Sequence, residues 1–158
     1  MCRKITVFLA LFIAGVCASV DCMAQYDHLK FGDFGVESVA PYDSMSVKGR
    51  VWVEVENPLA GFSVTEIYGR LYKNGVALIE GKADDYYVPT GNSRITLTGI
   101  ASLCPDISVL DVLALVFFQA ELYTVDIRAV ITDDGLDPVI KEVTDMPVLT
   151  LLKKDENE

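Results

Sequence analysis

Hydrophobic and polar residues alternate at period two along most of the chain. In Val51-Trp52-Val53-Glu54-Val55-Glu56 the valines share one face, and Trp52, Glu54 and Glu56 share the other. A strand with that pattern packs one side on a core and shows the other to water, as antiparallel sheets do. Asn57-Pro58 ends it, because proline has no N–H for the ladder. A second strand is predicted from Val64 to Lys73. Its two faces are Thr65, Ile67, Gly69, Leu71 and Val64, Glu66, Tyr68, Arg70, Tyr72, so it is less clearly two-sided. Asn74-Gly75 then predicts a type I′ hairpin turn, which needs positive φ at both central residues. Val76 to Glu80 is predicted to pair back onto Arg70 to Lys73.

Turn clusters at Pro89-Thr90-Gly91-Asn92 and Asp133-Asp134-Gly135 divide the remainder. They bound strand segments at Asp85 to Val88, Arg94 to Ile100, Thr124 to Thr132 and Val139 to Leu151, with an early strand near Phe34 to Val39. About seven short strands at this spacing predict an all-β fold, an immunoglobulin- or fibronectin-III-like antiparallel sandwich. One segment departs from the alternation. After Pro105, the residues Ile107, Leu110, Ala114 and Phe117 recur at helical spacing, and Ser108-x-x-Asp111 has the form of a capping box. A short helix of two to three turns closing one end of the sandwich is expected there.

The N-terminus reads as an export signal. Arg3 and Lys4 precede an apolar run from Ile5 to Ala14, which is the length of a secretory h-region and short of the about 20 residues a membrane span needs. Cleavage is expected after Ala24, with Ala18 as the other site that fits. Cys17 follows Val16 and Cys22 follows Asp21, and both suit a lipobox poorly, so soluble export to the periplasm or medium is expected over lipid anchoring. The expected organisation is a signal peptide over 1–24, an N-terminal extension over 25–33, one domain over 34–152 and a charged tail over 153–158.

Removing 24 of the 158 residues leaves 134, enough for a single domain that folds without staples. Cys104 then remains as the lone cysteine, so no intramolecular disulfide is expected, and its simplest place is in the core. Loss of Arg3, Lys4 and Asp21 moves the formal charge from −10 to −11. Phosphate backbones repel such a chain, so nucleic acid is not an expected partner.

Little in the sequence points to catalysis. His28 is the single histidine and lies on the extension, where a general base is hard to hold beside a nucleophile. One histidine and one cysteine do not make a zinc site. Asp133, Asp134 and Asp137 miss the alternation of a calcium loop, and Asp with Gly forms turns in any case. No cofactor or metal is expected. Trp52 on the polar face, with Tyr86, Tyr87 and Tyr123, marks a candidate binding surface, although such aromatics also serve as cross-strand packing partners.

Several motifs occur in a recognisable order. The strand closed by Asn57-Pro58 is followed by Ile67-x-Gly69-x-Leu71-Tyr72-x-Asn74-Gly75 and Val88-Pro89-Thr90-Gly91-x-Ser93. Then come Ser108-x-Leu110-Asp111-Val112-Leu113 and Tyr123-Thr124-Val125-Asp126-Ile127-Arg128-Ala129. In that order the chain resembles the late embryogenesis abundant type 2 family, also called the water-stress and hypersensitive-response domain, over roughly Phe34 to Leu151. The resemblance implies a seven-stranded sandwich with one short helix, and a non-enzymatic role linked to desiccation and other stress. Leu59-Ala60-Gly61-Phe62 after the Asn-Pro departs from the family's polar turn. The function expected is therefore stress protection, or binding of a protein or small molecule by surface contact. The alternative is a structural or adaptor subunit of a bacterial envelope complex.

Overall fold

The computed structural model describes residues 29–108, 110–111, 119–133 and 135–149. The expected signal peptide, His28, most of the expected helix and the charged tail lie outside these residues. Eight strands follow in order: β1 Lys30–Pro41, β2 Ser46–Asn57, β3 Phe62–Lys73, β4 Val76–Ala83, β5 Tyr86–Val88, β6 Gly91–Leu103, β7 Tyr123–Asp133 and β8 Val139–Pro147. A 3-10 turn at Ala120–Leu122 leads into β7. Every pairing is antiparallel, and the strand path runs β1-β2-β6-β4-β3-β7-β8 with β5 beside β3.

This path makes an all-β sandwich of two layers, β1-β2-β6 and β3-β7-β8, joined along β4. β4 pairs with β3 from Leu71↔Ile79 to Ile67↔Ala83, and on its other edge with β6 from Ile79↔Leu103 to Ala83↔Gly99. The alternation read from the sequence supplies the core. Val51, Val53 and Val55 of β2 and Ile95 and Leu97 of β6 face Val125, Ile127, Ala129 and Ile131 of β7 in one buried cluster. Burial of such side chains is worth about 1.5–3 kcal/mol each relative to exposure. The expected valine face of β2 is the buried one.

In β3 the face assignment needs correction. Phe62 and Val64 are buried, then Ile67, Gly69 and Leu71, so the phase slips by one residue at Glu66. Glu66 has φ 51°, and against β7 the two residues Glu66 and Ile67, between Thr65 and Tyr68, stand against the one residue Ala129, between Val130 and Arg128. This is a β-bulge. It puts Val64 in the core, not on the face with Tyr68 and Arg70. Leu78 occupies a second bulge, in β4, and is fully buried.

The expected turns form. Asn74 and Gly75 have φ 50° and 80°, and Lys73 pairs with Val76 across them. At the close of β2, the buried Asn57 accepts from Leu59 N–H (3.1 Å) through Oδ1 and donates to Ala60 C=O (3.0 Å) through Nδ2. A single side chain thus satisfies the backbone where Pro58 ends the ladder. The capping box is also in place. Ser108 Oγ accepts from Asp111 N–H (3.1 Å), and Asp111 Oδ2 accepts from Ser108 N–H (3.2 Å) and Ser108 Oγ (2.5 Å).

Candidate interaction surface

The four aromatic residues expected to mark a surface do not come together. Tyr123 opens β7 with its side chain in the core, 1% exposed, so it belongs to no surface. Alternation along β5 sends Tyr86 and Tyr87 to opposite faces. Tyr86, opposite Val64, packs against the core. Tyr87, opposite Ser63, is exposed and lies over Gly61, where an added Cβ would strike its hydroxyl.

Trp52 sits mid-strand, between Gly35 of β1 and Thr96 of β6. A Cβ on Gly35 would come within 2.7 Å of the indole nitrogen, so glycine there lets the ring lie down across β1. The Arg94 guanidinium covers the ring at 4.1 Å and also reaches Glu54 Oε1 at 3.0 Å. Glycine beneath and arginine above make Trp52 part of the sheet's own outer face. That is the cross-strand packing alternative, not a free stacking platform.

The outer face of the other layer is similarly self-paired. Tyr68, Arg70 and Tyr72 share it at period two. Arg70 Nη2 donates to Tyr68 Oη (2.6 Å) and Glu80 Oε2 (3.1 Å), and Tyr68 Oη donates to the same carboxylate oxygen (3.2 Å). Hydrogen bonds to Tyr72 and Glu80 hold the Arg70 pKa above its ordinary value. Burial, ahead of the opposing pull of Arg70, raises that of Tyr68. Among the described residues no three His, Cys, Asp or Glu side chains cluster as a metal site. No described helix is long and apolar enough to cross a membrane. Cys104 is buried as expected, and its N–H donates to Leu78 C=O (2.9 Å).

Apolar side chains are exposed at several other places, among them Leu59, Val76 and Leu110, and also at the two ends of the strand path. Phe34 and Val36 of β1 stand opposite Val53 and Val51, and Val139 of β8 stands opposite Ile131. Directly opposed residues share a face, so all three point towards the core side of their layers. They are nevertheless 63%, 40% and 40% exposed. Leu136, in the turn before β8, is also exposed. The sequence marked Phe34 to Val39 and Val139 to Leu151 as strands. It held no signal that these would be the outermost ones.

The chain matches no family model and no curated protein. Among solved structures, a protein from Archaeoglobus fulgidus aligns with TM-score 0.42 at 10% identity, over 72% of this chain and 94% of that one. A beta-glucuronidase from glycoside hydrolase family 2 aligns with TM-score 0.30 at 13% identity, over 70% of this chain and 11% of that one. Likeness at this level carries no functional argument.

Proposed function

We propose that this chain is an exported β-sandwich binding module that acts by surface contact rather than by chemistry. The observation that carries the reading is the core-directed yet exposed pair Phe34 and Val36 on the edge strand β1. Exposed apolar side chains that share one face of an edge strand, as Phe34 and Val36 do, suit an interaction site. An adaptor subunit of an envelope complex would use the same side in a permanent contact. The ordered motifs that resemble the late embryogenesis abundant type 2 family favour a second reading, protection of other proteins during drying.

One experiment separates the two. The full chain, tagged at its C-terminus and exported by its own N-terminal segment, is crosslinked in cells and purified from envelope extract. Binding predicts one protein recovered in stoichiometric amount. Recovery of none, with preservation of a labile enzyme through drying by the purified chain, would replace the first reading with the second.

A further inference from the structure

We infer that the edge of β1, at Phe34 and Val36, docks an extended peptide segment of a partner protein, apolar on one face and basic on the other. This deepens the binding reading above and rests on it. β1 stands at one end of the strand path and pairs with β2 alone among the described strands. On its core side Phe31 and Val39 pack against the buried cluster. Between them Phe34 and Val36, opposite the buried Val53 and Val51, stay exposed. The core side of β1 is therefore uncovered at these two positions, between neighbours that are packed.

Charge decides the occupant. A second copy pairing antiparallel through β1 about Gly35 would set Asp33 directly against Glu37 of the copy. Like charges directly opposed across strands destabilise, and a chain of formal charge −10 repels itself in general. The β8 edge is guarded differently. Lys141 stands opposite the buried Ala129, hence on the core side, and a bulge with Asp145 at φ 55° bends the strand. Inward charges and bulges are standard protection against edge pairing.

That leaves β1, where Phe34-Gly35-Val36 keeps regular register between two bulges. Asp33 and Glu37 flank this run, and Glu37 also meets Arg50 at 3.2 Å. A strand that adds to β1 with apolar side chains inward would cover Phe34 and Val36. Lysine or arginine on its other face would answer Asp33 and Glu37. Main-chain bonds to the free edge would supply the rest, as in other strand additions.

The test uses the full chain and three labelled seven-residue peptides, acetylated and amidated, read by fluorescence anisotropy. One alternates lysine with valine, one lysine with serine and one glutamate with valine. The lysine–valine peptide is expected to bind, and the other two to bind more weakly by about tenfold or more. Phe34→Lys and Val36→Lys change exposed positions, so both should keep the wild-type melting curve while losing about tenfold in affinity or more. Equal binding of the lysine–serine peptide would reduce the contact to charge attraction and overturn the inference. So would unchanged affinity in both variants, or a dimer by light scattering that Phe34→Lys dissolves, since the occupant would then be a second copy. An envelope partner captured equally by wild type and Phe34→Lys would sink this site and leave the binding reading standing. Recovery of no partner would sink that reading, while the peptide series still decides whether the site exists.

Discussion

Val53 and Glu54 are neighbours with opposite fates. Val53 is 8% exposed in the core, whereas Glu54 faces water beside Arg94. Val53→Asp should abolish cooperative thermal unfolding, because it buries a charge with no partner. Glu54→Lys should cost only about 1 kcal/mol or less by urea titration, the range of an exposed ion pair. The reverse order would mean that the faces of β2 are misassigned. Gly35 makes a sharper case. Its φ is unremarkable, and what demands glycine is the indole of Trp52 lying where a Cβ would be. Gly35→Ala must displace the ring, with a cost of about 1–3 kcal/mol as for overpacking. The single tryptophan makes this visible, since its emission should shift as the ring leaves Arg94; an unchanged spectrum would refute the packing described.

At the scale of the element, turns and bulges set the register. Asn74-Gly75 occupies two positive-φ positions that β-branched residues resist strongly. Replacing the pair by Val-Val should destabilise the chain by about 2 kcal/mol or more in chemical denaturation, in keeping with local backbone strain at two sites. Indifference would mean the hairpin is not as described. Glu66 is the converse. It is a non-glycine residue at φ 51°, so Glu66→Gly should stabilise or leave the melting temperature unchanged, even though its 3.7 Å contact with Arg128 is lost. Left-handed strain at a non-glycine residue is worth about 1 kcal/mol, and an exposed ion pair contributes less than that. A marked fall in melting temperature would show that the Arg128 contact outweighs the strain.

These two features also mark how far local sequence could be read. The Asn-Gly turn was legible because its cause is contained in two residues. The bulge at Glu66 was not, since it exists only in relation to β7, and without it Val64 falls on the wrong face. Among the site residues, Trp52 was found on the outer face as read, while Tyr123 was misjudged. A tyrosine at the start of an alternating run has no local mark that separates core from surface. The bland reading of Cys104 as a core residue was correct, because a small apolar side chain next to a strand end usually has nowhere better to go.

At the scale of the whole molecule, the buried thiol and the buried tyrosine tie stability to alkaline pH. Burial raises the pKa of Cys104, with the nearby Glu80 charge acting in the same direction, and burial likewise raises that of Tyr123. A group whose pKa is higher in the fold than in the open chain contributes its full stability below the open-chain value, about 8.5 for cysteine. That contribution is lost as pH rises through the folded value, because the unfolded chain releases the proton first. The urea midpoint should therefore fall from pH 8 to pH 10, and less steeply in Cys104→Ala than in wild type. An identical slope in the two would remove Cys104 from the account. In the native state at pH 8, thiol reagents should label Cys104 only as fast as the sandwich opens.

The presence of the strands, most of their faces, the hairpin at Asn74-Gly75, the capping box and the sandwich class were determined by the sequence alone. Each depends on period, on φ preference or on a hydrogen bond between near neighbours. Not all strand ends were so determined: β1 begins at Lys30, within the expected extension, and β8 stops at Pro147, short of Leu151. Tertiary structure alone decided that β4 joins the two layers, that β3 carries a bulge, that Arg94 and Gly35 enclose Trp52, and that Phe34, Val36 and Val139 are left exposed. These depend on which strands lie side by side and which come last in the path. Alternation tells a residue which face it is on, but only the assembled layers determine whether that face is covered.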